Sequence, residues 1–186
     1  MQKIILASQS PRRKQLLEWA EIDFEVIVSE SDETFPAGLS FEETAIHIAR
    51  NKALAVSKKN KDGLTILAAD TIVVCDNEIL GKPTDRANAI EILKKLSGTT
   101  HQVITAVVIL KNETAISFAD ITTVAFHELT EGEITFYIDK YKPYDKAGAY
   151  AIQEWIGVVG IKSINGDFYN VMGLPVSRVV QQLKNL

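Results

Sequence analysis

The chain of 186 residues carries 46% hydrophobic and 24% charged side chains, the balance of a folded globular protein, which excludes disordered and collagen-like classes. Twenty basic residues against 24 acidic ones leave a net charge of −4. No overall field therefore draws the chain to nucleic acid or anionic lipid, and any polyanion must be held by a local cluster. The single cysteine, Cys75, can form no internal disulfide, so a reducing compartment is expected.

Residues 3–7 read as a short buried strand. They run into Ser8-Gln9-Ser10-Pro11 and a helix over 12–20, with Ser10 as N-cap and Pro11 at the first helical position. A second strand is expected over 23–28. Ser40-Phe41-Glu42-Glu43 is a capping box opening a long helix to about Lys58. A strand over 64–75 turns at Asp76-Asn77-Glu78 into Ile79-Leu80. Residues 85–96 are helical and closed by Gly98. The runs 102–111 and 115–126 form a hairpin around Asn112-Glu113. Thr130 opens a second capping box and the helix 131–141, which stops before Pro143. Segments 157–164 and 168–172 flank Asn165-Gly166-Asp167 and predict another hairpin. The last helix starts near Pro175.

Helices interleaved with lone strands and hairpins imply a mixed sheet in an α/β protein, and no repeat or linker divides residues 1–186, so one domain is expected. The apolar stretches 64–75 and 103–110 are interrupted by Asp or Thr and fall short of a membrane span. The apolar start is too short for a signal peptide, and a cytoplasmic protein is expected.

Four constellations could carry chemistry. In Ser8-Gln9-Ser10-Pro11-Arg12-Arg13, a strand leads into a helix N-terminus whose N–H groups and dipole favour an anion. Two arginines in that first turn are unfavourable unless an anion sits there; the alternative is a capped helix with solvated arginines. Lys52 projects near the middle of an apolar stripe formed by Phe41, Ala45, Ile48, Ala49, Ala55 and Val56. It either snorkels to the surface or points into a cleft to meet an anion. Asp70 lies inside an otherwise apolar strand, which is expensive unless it is paired, metal-bound or exposed by a bulge. Thr71 beside it faces the opposite way in a regular strand. Lys82, in Gly81-Lys82-Pro83, is by itself a solvated loop cation. The block Lys146-Ala-Gly-Ala-Tyr-Ala-Ile-Gln153 offers small residues for close backbone approach and a donor–acceptor fork at Gln153, or else a plain turn into a strand.

Other chemistries find no support. His47, His101 and His127 lack metal-ligand spacing, and no nucleophile elbow, Walker loop or dinucleotide fingerprint is present.

Six segments in order, Ile-Leu-Ala-Ser-Gln-Ser-Pro-Arg-Arg, Ala-Ala-Asp-Thr, Leu-Gly-Lys-Pro, Leu-Ser-Gly, Asp-Lys-Ala-Gly-Ala-Tyr-Ala-Ile-Gln and Val-Met-Gly-Leu-Pro, resemble the Maf family of nucleoside triphosphate pyrophosphatases. These are also called septum formation inhibitor proteins. The resemblance implies a two-lobed α/β fold with a mixed sheet and a central cleft, related to inosine triphosphate pyrophosphatases. It implies cleavage between the α- and β-phosphates with a divalent metal, Mg or Mn. On this resemblance Ser8, Arg12, Arg13, Lys52 and Lys82 hold the phosphates, and Asp70 is the proton acceptor; by its chemistry the Asp70 carboxylate can bind the metal or take the proton of the attacking water. Glu33, a loop carboxylate, is a candidate second metal ligand or simply a solvated acid. Arg12, Thr71 and Gln153 match the group acting on dTTP and UTP rather than the group acting on 7-methyl-GTP. The chain departs from the family at Glu154, where Gly usually follows Ile-Gln. The resemblance alone points to a homodimer.

Four negative charges, roughly what a triphosphate carries, are what two lysines and two arginines in such positions require. The expected function is therefore a metal-dependent pyrophosphatase for dTTP and UTP, with neither nucleic acid nor membrane as a partner. The competing readings are a nucleotide-sensing regulator of cell division without essential catalysis, or a pyrophosphatase for 7-methyl-GTP or deaminated purine triphosphates.

Overall fold

The structure is a computed structural model and describes residues 2–60 and 63–186. Its elements begin with β1 (Ile4–Leu6), α1 (Pro11–Trp19), β2 (Phe24–Val26), α2 (Phe41–Ser57), β3 (Thr65–Cys75), β4 (Glu78–Leu80) and α3 (Arg86–Leu96). They continue with β5 (Thr100–Lys111), β6 (Thr114–Phe126), α4 (Glu131–Tyr141), a 3-10 turn at Ala147–Ala149, α5 (Trp155–Gly160), β7 (Ile161–Asn165), α6 (Phe168–Met172) and α7 (Val176–Lys184). The strands form a mixed sheet in the order β2-β1-β3-β5-β6-β7, with β4 on β3, as the alternation of elements predicts.

The chain divides into two compact units, and the divisions fall inside β3, β5 and β6. Unit 1 takes the chain up to Thr71, Thr105–Asp120 and Gly173–Leu186. Its centre is β1, parallel to both β2 and the start of β3, with Ile4 opposite Phe24 and Thr65. Strands buried on both faces read as continuous apolar runs, and Ile4, Ile5 and Leu6 are almost wholly buried. Burying each such side chain contributes about 1.5–3 kcal/mol. Helix α1 is capped by Ser10, whose Oγ accepts from Arg13 N, and begins at Pro11. Helix α2 opens with the reciprocal capping box: Glu43 N donates to Ser40 Oγ and Ser40 N to Glu43 Oε2. Its buried stripe is Thr44, Ala45, Ile48, Ala49, Ala53 and Val56, which replaces Phe41 and Ala55 of the expected stripe by Thr44 and Ala53. At 100° per residue Lys52 falls within this stripe, between the directions of Ile48 and Ala45, as expected.

Unit 2 takes Ile72–Ile104 and Ile121–Met172. Helix α3 is capped by Asp85 and ends with Lys94 and Lys95 beside the negative end of its dipole. Helix α4 runs over the expected residues with its Thr130–Glu133 capping box intact, and Lys142 takes a left-handed conformation ahead of Pro143. The predicted last hairpin does not form. Within 157–164, residues up to Gly160 close helix α5 and only Ile161–Asn165 is strand, antiparallel to β6. Residues 168–172 are the helix α6. Asp167 is the reason: its Oδ1 accepts from Tyr169 N, an N-cap arrangement that starts a helix where a hairpin would need a returning strand. Asn170 of that helix is fully buried and donates to Val103 O and Thr122 Oγ1, which fixes the helix in place. Among the described residues no helix is long and apolar enough to cross a membrane.

Candidate active site

Unit 1 brings two groups of candidate residues together. The first is organised by Arg13. Its side chain leaves the first turn of α1 and is buried, donating from Nε to Gly173 O at 2.8 Å, from Nη1 to Ser8 Oγ at 3.0 Å and from Nη2 to Thr71 Oγ1 at 3.0 Å. Three of the five guanidinium N–H groups are thus used on protein oxygens. Burial pulls its pKa down to about 10, while the Asp70 charge pulls upward, Arg12 downward and Glu33 upward, so it stays charged at neutral pH. Arginine here is supported by neutral acceptors and more distant carboxylates, which answers part of the conflict read from two cations at a helix start. Arg12 is half-buried in the same turn.

Ser8 Oγ also accepts from Ser10 N at 3.2 Å, so it takes two hydrogen bonds and keeps its own hydroxyl hydrogen to give. Thr71 Oγ1 shares a hydrogen bond with Thr105 Oγ1 at 2.9 Å. Thr105 and the carbonyl of Gly173 were not singled out from sequence. Gly173 has φ +117, a conformation that disfavours side chains, and a Cβ there would touch both Thr71 Oγ1 and Arg13. The Val-Met-Gly-Leu-Pro segment was the available signal.

The second group is an ion triad. Lys52 Nζ donates to Asp70 Oδ1 at 2.7 Å and lies 2.9 Å from Glu33 Oε1. The Lys52 and Asp70 side chains are 19% and 15% exposed, whereas Glu33 is 61% exposed. Lys52 therefore neither snorkels nor waits alone, and Asp70 needs no bulge, because each neutralises the other. Strand β3 is buried throughout except at Asp70 and Thr71, so the polar pair opens the middle of an apolar strand. Glu33 comes from the irregular segment after β2, which is tied to α2 by Asn51 Nδ2 donating to Asp32 O at 3.1 Å. Asp70 and Glu33 each place a carboxylate oxygen on the Lys52 ammonium, which brings two hard oxygen donors into one neighbourhood. That donor set suits Mg or Mn arriving with a substrate's phosphates. Among the described residues no group of three or more His, Cys, Asp and Glu could hold a metal by itself.

Unit 2 carries the other two candidates. Lys82 is exposed after β4, next to Gly81, whose carbonyl accepts from Gly148 N at 3.1 Å. Gln153 is exposed at the corner of a turn closed by Glu154 N donating to Ala151 O at 3.1 Å. The departure at Glu154 has partners: Tyr137 Oη donates to its carboxylate, and Lys146 Nζ stands 3.5 Å away.

In fold the chain is similar to the Ham1 protein of Staphylococcus aureus, with a TM-score of 0.55 over 97% of this chain and all of that one, at 19% identity. The sequence places it more closely. Residues 3–186 match the Maf-like protein family, and the chain belongs to that family. It is 48% identical over 184 residues to the dTTP/UTP pyrophosphatase of Parabacteroides distasonis, covering 98% of this chain and 95% of that one. It is 50% identical over 183 residues to the dTTP/UTP pyrophosphatase of Cytophaga hutchinsonii, covering 98% and 84%.

Proposed function

We propose that the chain is a nucleoside triphosphate pyrophosphatase that cleaves dTTP and UTP into the monophosphate and pyrophosphate. The observation that carries this reading is the Asp70–Lys52–Glu33 triad of a Maf-like chain, whose Asp70 interrupts an otherwise apolar strand. Relatives named dTTP/UTP pyrophosphatase support the substrate class.

Asp70 accepts the proton of the attacking water. Its carboxylate is aimed by the hydrogen bond from Lys52, and a positioned base of this kind supplies about 10²–10⁴ in rate. The anhydride bond breaks as the water oxygen adds to phosphorus, and pyrophosphate leaves. Lys52, Arg12, Arg13 and Lys82 supply cationic charge for the phosphates, and Ser8 gives its hydroxyl hydrogen to a phosphate oxygen. Arg13 does so from a distance, since it is pinned to Ser8, Thr71 and Gly173 and sets where Ser8 and Thr71 point. A divalent ion held by Asp70 and Glu33 would neutralise charge on the phosphoryl oxygens.

Arg12, Thr71 and Gln153 discriminate the base. The Gln153 carboxamide can accept from the N3–H of uracil or thymine and donate to a ring carbonyl, while a glutamate would suit the N1–H and N2 amine of guanine. A site built for one base edge rejects the other because its polar groups are left unpaired. The compartment we propose is the cytoplasm, supported by the single buried Cys75.

The test is pyrophosphate release from a panel of triphosphates with Mg, Mn or a chelator. Metal-dependent turnover of dTTP and UTP above ATP, GTP, ITP and 7-methyl-GTP is expected. Faster hydrolysis of 7-methyl-GTP or ITP overturns the substrate, and tight nucleotide binding without release under any metal favours the sensor.

A further inference from the structure

We propose that Tyr137, Glu154 and Lys146 form a buckle that holds the turn presenting Gln153, which makes Glu154 and Tyr137 positioning residues for base discrimination; this rests on the reading of Gln153 given above. The Tyr137 hydroxyl, on a fully buried side chain of α4, spans the open end of the turn. It accepts from Ala151 N at 3.1 Å and donates to the Glu154 carboxylate, so one atom grips both legs. The legs are also joined by Glu154 N donating to Ala151 O. Gln153 is at the corner opposite this grip.

The carboxylate is held in turn by Lys146, which is buried and stands 3.5 Å from Glu154 Oε1 and 2.8 Å from Asp145 Oδ1. A buried ammonium needs such partners. Lys146 and Glu154 begin and end the same segment, so their pairing closes it on itself. The start of that segment is tied to the Lys82 loop through Gly148 N and Gly81 O. Beyond Glu154 the chain is anchored twice more. Trp155 packs edge-on against Phe136 of α4 at 4.9 Å, and a Cβ on Gly157 would lie 1.7 Å from Ile152 O, so α5 starts directly against the turn. A glycine at position 154 would offer neither the acceptor for Tyr137 nor the countercharge for Lys146. Fixing Gln153 before the nucleotide arrives reduces the ordering cost of binding and sharpens rejection of a base with the wrong edge.

The test uses Tyr137→Phe and Glu154→Ala in the full-length protein, with two readouts. Amide hydrogen exchange reports the buckle without any nucleotide: exchange at the amides of positions 151 and 154 should accelerate about tenfold or more in both variants, the size of one lost buried hydrogen bond. Steady-state kinetics report its purpose. KM for dTTP should rise about tenfold and the dTTP-to-GTP ratio of kcat/KM should fall about tenfold, with kcat for dTTP within threefold of wild type. Unchanged exchange, or an unchanged KM and ratio, overturns the buckle, and so does a collapse of kcat at constant KM. If Tyr137→Phe fails to fold, Glu154→Gln carries both readouts, since it keeps the shape and removes the charge facing Lys146. A wild-type protein that turns over neither dTTP nor UTP overturns the reading of function instead; the exchange readout then still decides whether the buckle exists.

Discussion

Acidification should destabilise this protein through one histidine. His101, on β5, is buried with its Nε2 2.8 Å from Tyr150 Oη, and its ring packs edge-on against Phe126 and Tyr150 at 5.2 and 5.5 Å. Its Nδ1 is buried and makes no hydrogen bond among the described residues, so nothing compensates a charge there. Burial pulls its pKa from 6.5 to about 4. Between those values the unfolded chain binds a proton that the folded one refuses, so stability is complete above pH 6.5 and falls as the pH drops towards 4. The loss works out at about 2 kcal/mol by pH 5 and about 3 kcal/mol by pH 4, and it levels off just below that pH. Other groups titrate in the same range, so the measurement is a difference. Urea denaturation of wild type and His101→Phe is followed from pH 7.5 to 4. The variant keeps the ring packing but orphans the buried Tyr150 hydroxyl, so it starts less stable by about 1–3 kcal/mol. Its deficit should shrink on acidification and close or reverse by pH 4. Parallel curves for the two proteins would refute the argument.

Asp70→Asn should lower kcat for pyrophosphate release by about 10²–10⁴ with little change in melting temperature, because the side chains are nearly isosteric and Lys52 keeps Glu33; a near-normal kcat removes Asp70 as the base. Arg13→Lys should cost at least about 2 kcal/mol in urea denaturation, since a lone ammonium cannot reach Gly173 O, Ser8 Oγ and Thr71 Oγ1 together. A cost below about 0.5 kcal/mol would mean that the three bonds are not cooperative supports. Gly157→Ala should be destabilising by about 1–3 kcal/mol through its collision with Ile152 O, and a wild-type melting temperature would show that α5 can withdraw from the turn at no cost.

Local chemistry was enough to read most of the chain. The caps at Ser10, Ser40 and Thr130 and the break at Pro143 are written in neighbouring residues, and α1 to α4 fall within a residue or two of their expected bounds. The order of motifs likewise singles out Ser8, Arg13, Lys52 and Asp70 as candidates. What sequence could not supply is which of those residues answer one another. Lys52 and Asp70 are 18 positions apart, and Arg13 and Gly173 are 160 apart, so their pairing depends on strand order and helix placement that no local pattern encodes. The same limit produced the one misread segment: Asn165-Gly166-Asp167 is a good hairpin turn locally, but Asp167 caps a helix and Asn170 finds its partners on Val103 and Thr122, far away in the chain. Sequence determined most of the elements and the chemical vocabulary of the candidate site. Tertiary structure decided which charges neutralise each other, because burial and distance, not residue type, set the energy of a charge.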